Sequence, residues 1–253
     1  MLPVERKRTI VQLVTERDGC SVAELAAELE FSKATIRRDL QDLAAEGRIE
    51  RSHGGAVPAD SGRPDRAYDE RDVENLDAKQ AIAARASEEI QAGQVVCFDS
   101  GTTTMEVARA VPDEGFVGVT NMAEIALELA TSDVDVKLTG GTMRPRSHAL
   151  VGPSTEAFLD RTNFDLLFLG IASLDAESGL STPDEDEAAV KRRMVAAASR
   201  VVLVADSSKF GERSFRSVAD PDDIDCLVTD EPLPPELAEA FADTAVVVTG
   251  QGA

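Results

Sequence analysis

Apolar positions over residues 1–47 fall at helical intervals in three blocks. Ile10, Leu13 and Val14 share one helical face, and Gly19 ends that block. Ser21-Val22-Ala23-Glu24 has the spacing of a capping box, opening a short helix with Leu25, Ala26 and Leu29 on one side. Ser32 is placed to cap a third helix that runs to Gly47. In it Ile36, Leu40 and Leu43 recur at one face and must point inward, so Ala34, Arg37, Arg38 and Gln41 point outward. Beyond Gly47 the period changes to two. Arg48-Ile49-Glu50-Arg51-Ser52 alternates like a strand, and His53-Gly54-Gly55-Ala56-Val57 reads as a turn and the start of a returning strand.

Residues 58–77 are poor in apolar side chains and rich in breakers, so a linker is expected there. Periodicity resumes with Ile82, Ala83, Ala86 and Ile90 in a helix ending at Gly93. Short apolar runs then alternate with helical segments. The pattern predicts strands at 95–98, 116–119, 134–138, 166–170, 201–205, 226–228 and 245–248. Helices are predicted near 103–110, 121–130, 154–160, 184–199 and 235–242. Uniformly apolar strands separated by helices imply an α/β domain over 78–253 whose mostly parallel sheet is covered on both faces. Residues 1–57 form a separate winged helix-turn-helix.

Composition supports a folded chain: 43% of the 253 residues are hydrophobic. No stretch approaches the roughly 18 apolar residues of a membrane span, and the N-terminus has no apolar signal region. Cys20, Cys97 and Cys226 form neither a disulfide framework nor a metal-ligand pattern. A cytoplasmic protein without metal or cofactor is expected. A net charge of −21 argues at first against a nucleic-acid partner. Its distribution reverses that reading: residues 1–57 net −1, and the other 196 carry −20. Only six of the 26 basic residues are lysine, a composition that points to a halophile.

The outward arginines change the meaning of the first segment. A third helix presenting Arg37 and Arg38 is suited to a major groove, with bidentate guanine contacts or phosphate clamps. Lys33 and Thr35 lie in its first turn, and Arg51 and His53 of the wing are placed to touch phosphate or minor groove. Ser21, Ser32 and Gln41 complete the candidate DNA-binding set. The plain alternative is a small helical bundle with solvated arginines.

Ligands of parallel α/β sheets bind beyond the carboxyl ends of the strands, and small polar residues gather there. Asp99-Ser100-Gly101-Thr102-Thr103-Thr104 follows the first strand and opens a helix. Free N–H groups, hydroxyls and the positive end of the helix dipole make that a phosphate cradle, although it is no Walker loop. Thr120-Asn121, Thr139-Gly140-Gly141-Thr142, Gly170-Ile171-Ala172 and Asp206-Ser207-Ser208-Lys209 follow other strands. Each alone fits ordinary turn and cap chemistry. Lys191 and Lys209 suit an anionic ligand, or a structural ion pair with a carboxylate such as Glu187.

The stretch Ser32-Lys33-Ala34-Thr35-Ile36-Arg37-Arg38-Asp39-Leu40, followed by His53-Gly54-Gly55-Ala56, resembles the winged helix-turn-helix of the DeoR family of transcriptional repressors. The second half resembles the same family's sensor domain at Asp99, Gly101 to Thr104, Thr120, Asn121, Gly140, Gly141, Gly152, Phe164, Asp165, Gly170, Gly179, Leu180, Glu187, Lys191 and Asp206 to Gly211. Ser100 and Met105 depart from the pattern. The likeness covers essentially the whole chain and is strongest to the glycerol-3-phosphate and fructose-operon branch. It implies a sensor folded like ribose-5-phosphate isomerase, double-stranded operator DNA as one partner, and a homo-oligomer, dimer or tetramer. It also implies an effector, a phosphorylated sugar or polyol, that releases the DNA.

The isomerase likeness raises a second reading, a sugar-phosphate isomerase fused to a DNA-binding domain. Between Gly170 and Lys191 the sequence offers Asp175, Glu177, Asp184, Glu185, Asp186 and Glu187 but no lysine or arginine, so the expected basic partner is missing. His53 and His148, in different domains, build no triad or zinc site. A sensor rather than an enzyme is expected.

Overall fold

The computed structural model describes residues 3–17, 20–29, 31–45, 48–52, 55–58, 66–112 and 114–249. The chain divides into two compact units, Met1–Asp65 and Arg66–Ala253.

In the first unit α1 (Pro3–Glu16), β1 (Cys20–Ser21), α2 (Val22–Glu28) and α3 (Lys33–Ala45) precede β2 (Ile49–Ser52) and β3 (Gly55–Pro58). β3 lies between β1 and β2, antiparallel to both. The helical faces read from the sequence meet in one core: Ile10, Val14, Leu25, Ile36, Leu40, Leu43 and Ile49 are all buried. Each such side chain contributes about 1.5–3 kcal/mol through removal from water. The S-x-x-E box also forms as its spacing predicts. Ser21 Oγ accepts the Glu24 N–H at 3.2 Å, and the Ser21 N–H donates to Glu24 Oε2 at 2.7 Å. β1 escaped the sequence reading, since two residues carry no period. It forms because Gly55 brings β3 against it: a Cβ at Gly55 would lie 2.2 Å from the Cys20 carbonyl oxygen.

The second unit opens with α4 (Tyr68–Asp72) and α5 (Leu76–Ser87). Residues 66–77, expected in the linker, thus belong to this unit, because α4 buries Tyr68 to 7% exposure. There follow β4 (Val95–Phe98), α6 (Thr102–Arg109), β5 (Glu114–Thr120), α7 (Ala123–Leu129), β6 (Asp133–Leu138), β7 (Thr142–Met143), β8 (Leu150–Val151) and α8 (Pro153–Leu159). The rest comprises β9 (Leu166–Leu169), β10 (Ser173–Asp175), β11 (Gly179–Thr182), α9 (Glu185–Ala197), β12 (Val201–Val204), β13 (Arg216–Ala219), β14 (Cys226–Thr229), α10 (Pro235–Ala240) and β15 (Ala245–Val248). The seven strands expected from the apolar runs form one sheet, ordered β15-β14-β12-β9-β4-β5-β6 and parallel at every pairing. β10, β11 and β13 make a separate antiparallel sheet, and β7 pairs β8.

Burial on two faces explains why the inner strands β4, β9, β12 and β14 read as unbroken apolar runs. Val96, Phe98, Leu166, Phe168, Val202 and Val204 face one side, where Ile82, Ala83 and Ala86 of α5 pack with Val107 of α6 and Ile125 of α7. Cys97, Leu167, Leu169, Val201 and Leu203 alternate to the other, against Leu159 of α8, Val190 and Met194 of α9 and Leu237 of α10. Among the described residues no helix is long and apolar enough to cross a membrane.

Candidate functional site

α3 starts where Ser32 Oγ accepts the Thr35 N–H at 3.1 Å. Its inner face is fixed by Ile36, Leu40 and Leu43 and by Asp39, which Arg6 of α1 grips through Nε at 2.6 Å and a terminal nitrogen at 3.1 Å. The same guanidinium lies 4.4 Å from the centre of the Phe31 ring. With that face locked, Ser32, Lys33, Arg37, Arg38 and Gln41 are exposed and Thr35 is half-buried. Ser21 serves first as the cap of α2. Arg51 occupies β2, paired in register with Ala56, whereas His53 lies outside the described residues.

In the second unit the chain runs from β4 outward to β5 and β6, then returns to place β9 on the other side of β4. Strand order reverses between β4 and β9, and such a reversal opens a crevice at the carboxyl ends. Asp99 and Gly170 sit there. Asp99 is fully buried; its Oδ2 accepts the Gly170 N–H at 3.0 Å and is paired with Lys191 of α9, which also donates to the Gly170 carbonyl at 3.0 Å. Burial pushes the Asp99 carboxyl above its ordinary pKa, against the opposing pull of Lys191 and the Gly170 N–H.

Next to this pair Gly101 leads into α6 with Thr102, Thr103 and Thr104 all buried. The Thr104 hydroxyl turns back to the Gly101 carbonyl at 2.9 Å. The opening N–H groups of a helix lack intrahelical acceptors, so this end carries positive charge toward the crevice. After β5, Thr120 Oγ1 accepts the Met122 N–H at 3.1 Å, and Asn121 reaches Ser100 Oγ and the Leu150 carbonyl, each at 3.4 Å. Gly140 and Gly141 turn with φ of +73° and +112°. At Gly141 a Cβ would strike Thr155 Oγ1 at 2.2 Å, so glycine is required. After β12, Asp206 Oδ1 accepts from Ser208 N–H at 3.1 Å and from Asn75 Nδ2 at 3.0 Å, and Lys209 Nζ lies 3.7 Å from Oδ2. Burial raises the Asp206 pKa, but Lys209 and these hydrogen bonds outweigh it and hold the carboxyl below its ordinary value.

The basic side chains of these loops are already engaged. Lys191 holds Asp99 rather than Glu187, and Glu187 is instead paired with Arg144, which also lies 2.9 Å from Asp184. Three buried acceptors, by contrast, have no hydrogen-bond partner: Asp99 Oδ1, Asn121 Oδ1 and Asp206 Oδ2. All three follow strands of the contiguous set β12-β9-β4-β5 at one edge of the sheet. An unpaired buried acceptor costs about 1–3 kcal/mol, so this edge calls for hydrogen-bond donors.

Comparison with known proteins agrees with both halves. The DeoR-like helix-turn-helix domain matches residues 6–61, and the DeoR C terminal sensor domain matches residues 74–231. The chain belongs to the DeoR family of transcriptional regulators. It is 56% identical over 249 residues to the HTH-type transcriptional regulator GlpR of Haloferax volcanii, covering 98% of both chains. That relative comes from a halophile, in line with the acidic, lysine-poor composition. The Glycerol-3-phosphate regulon repressor of Escherichia coli strain K12 is 31% identical, over 96% of this chain and 97% of the relative. Among solved structures, ribose 5-phosphate isomerase A of Methanocaldococcus jannaschii covers 54% of this chain and 55% of its own at 16% identity, with a TM-score of 0.41.

Within this DeoR-family regulator, the sequence missed four contributors. Arg6 locks α3 through Asp39; Asn75 reaches Asp206; Arg144 ties the loop after β7 to α9; and Lys79, buried to 2%, donates to the Arg71 carbonyl. Arg144 was the most findable, as one of two arginines just after the Gly140-Gly141 turn in a stretch without carboxylates.

Proposed function

We propose that this DeoR-family regulator is a repressor that holds operator DNA with the outer face of α3 and releases it when a phosphorylated sugar or polyol fills the crevice between β4 and β9. The observation that carries this reading is the division of labour at the sheet edge. The N-terminus of α6 and the hydroxyls of Thr102 and Thr103 offer donors, which suit a phosphoryl group. Asp99 Oδ1, Asn121 Oδ1 and Asp206 Oδ2 accept no hydrogen bond, which suits the hydroxyls of a polyol chain, with the Lys209 ammonium 3.7 Å from Asp206 Oδ2. Since Lys191, Lys209 and Arg144 are occupied by carboxylates, backbone N–H groups are the principal anion ligands. The relative named for a glycerol-3-phosphate regulon supports a small phosphorylated polyol. The DNA-contacting set is Lys33, Thr35, Arg37, Arg38 and Gln41 with Ser32, Ser21 and the wing residues Arg51 and His53.

The isomerase reading loses its general base. Among the carboxylates between Gly170 and Lys191, Asp175 accepts three hydrogen bonds from the 177–178 turn, Asp184 caps α9, and Glu187 is held by Arg144. Glu177, Glu185 and Asp186 are exposed. A carboxylate poised to abstract a proton beside the phosphate cradle is not among them.

The test is a thermal-shift series at molar salt with glycerol 3-phosphate, glucose 6-phosphate, fructose 1-phosphate and fructose 6-phosphate, and glycerol and inorganic phosphate as part-ligands. A phosphorylated compound at about 100 times its Kd raises stability by about 2.7 kcal/mol, and neither part-ligand matches it at equal concentration. Equal stabilisation by inorganic phosphate would leave the unpaired acceptors without a role. Turnover of a sugar phosphate would restore the enzyme reading.

A further inference from the structure

Residues 66–79 carry more ties to the sensor's ligand loops than their weak sequence pattern suggests. α4 and α5 meet at Asn75, which adopts the left-handed region with φ of +52°. From that corner Asn75 Nδ2 donates to Asp206 Oδ1 across 131 positions of sequence. Asp206 is therefore two-faced: Oδ1 is taken by Asn75 and Ser208, and Oδ2 faces the Lys209 ammonium at 3.7 Å without accepting a hydrogen bond. Lys79 braces the same corner by donating to the Arg71 carbonyl.

A second tie lies at the start of α4. The Tyr68 N–H donates to the Arg146 carbonyl at 2.7 Å, and the Tyr68 ring stacks on His148 with centroids 5.0 Å apart and planes at 19°. His148 holds a left-handed backbone with φ of +61°, and its Nδ1 lies 2.7 Å from Glu124 Oε1. The loop that carries Arg146 and His148 also carries Arg144, which binds Asp184, the cap of α9, and Glu187 within it. One turn further along α9, Lys191 holds Asp99. The segment thus touches two loops of the sensor, the one after β12 directly at Asp206 and the one after β7 through Tyr68.

We propose that the segment from Tyr68 to Lys79 is the reporter of effector occupancy, with Asn75 the positioning residue that reads Asp206 and Tyr68 the one that reads the Arg144–His148 loop. This rests on the effector site proposed above. The segment is the stretch of the sensor that continues directly into residues 59–65 and the DNA-reading unit. A hydroxyl of the effector that takes Asp206 Oδ2 draws the carboxylate's charge toward the crevice and weakens the bond to Asn75. A ligand that shifts the loop after β7 likewise disturbs the Tyr68–His148 stack. Either change alters how α4 is held, and differential affinity for the two arrangements supplies the coupling.

The experiment uses the full chain and a DNA duplex selected by the native protein from a randomised pool. Calorimetry gives the affinity for the four phosphorylated compounds above, and fluorescence anisotropy gives the DNA affinity with and without each. Asn75→Gly removes the side chain while keeping a residue at ease with positive φ, so the backbone is not strained. Tyr68→Ala removes the stack, and Tyr68→Phe keeps it. In the native chain an effector weakens DNA binding about tenfold or more. In Asn75→Gly and Tyr68→Ala that ratio falls close to one, with effector affinity within about threefold of native, and Tyr68→Phe retains it. Native ratios in both deletion variants would overturn the proposal, as would a ratio that falls only in step with effector affinity. If the native chain binds none of the four compounds, the effector site itself is wrong and the reporter falls with it.

Discussion

Asp99 carries two opposed demands at the centre of the crevice. Burial favours its neutral form, and the Lys191 ammonium and the Gly170 N–H favour its charged form. The pair is buried on both sides, so removing one partner leaves a charge without compensation. Lys191→Met should lower unfolding stability by about 3–5 kcal/mol in urea melts, and Asp99→Asn added to it should recover part of the loss. Asp206 acts in the opposite direction. Its folded pKa lies below the ordinary 3.8, so its stabilisation is present above that value and is lost as pH falls through the lowered one. An acid titration of Asp206→Asn should therefore show a shallower loss of stability below about pH 4 than the native chain. On the DNA side, Arg37→Ala and Arg38→Ala should each lose operator binding in anisotropy yet keep effector binding, because both side chains are exposed on the outer face of α3. Sequence reading placed these arginines on the outer face because the inward positions Ile36, Leu40 and Leu43 dictate which residues point out. It did not find Asn75 or Arg144. Their partners lie 131 and 43 positions away, and no local period encodes such a distance.

At the scale of elements, the seven parallel strands were legible because each is four or more residues long and the inner ones, such as β9, β12 and β14, are buried on both faces. β1, β7 and β8 were not, since two residues set no period. β10, β11 and β13 mix serine, aspartate and arginine into three or four residues and resemble loop. α4 was read as linker because four of its five residues are charged and Tyr68 alone carries its burial. The glycines mark where elements approach most closely. Gly55→Ala would place a methyl 2.2 Å from the Cys20 carbonyl, so β1 must part from β3. Hydrogen exchange in the full chain should then accelerate at Cys20 and Ala56, and DNA affinity should fall with it. Unchanged exchange there would show that the strands slide instead of parting.

For the molecule as a whole, charge sets the terms. Residues 1–57 are near neutral and the remainder holds −20, so self-repulsion is concentrated in the sensor. Raising salt from 0.1 M to above 1 M shortens the screening length from about 10 Å to about 3 Å and should raise the melting temperature of the sensor. The same salt lessens the free-energy gain from releasing counterions from DNA, which in the proposed function places more of the specificity on base-edge contacts by α3. In the proposed function these effects set how firmly the regulator holds DNA at rest, and the crevice between β4 and β9 sets when it lets go. A crystal structure of the full chain with the phosphorylated compound that gives the largest thermal shift tests that claim most directly. Phosphate oxygens should lie about 3 Å from the N–H groups that open α6, with ligand hydroxyls on Asp99 Oδ1, Asn121 Oδ1 and Asp206 Oδ2. A ligand bound elsewhere, with those three oxygens still unpartnered, would contradict the account.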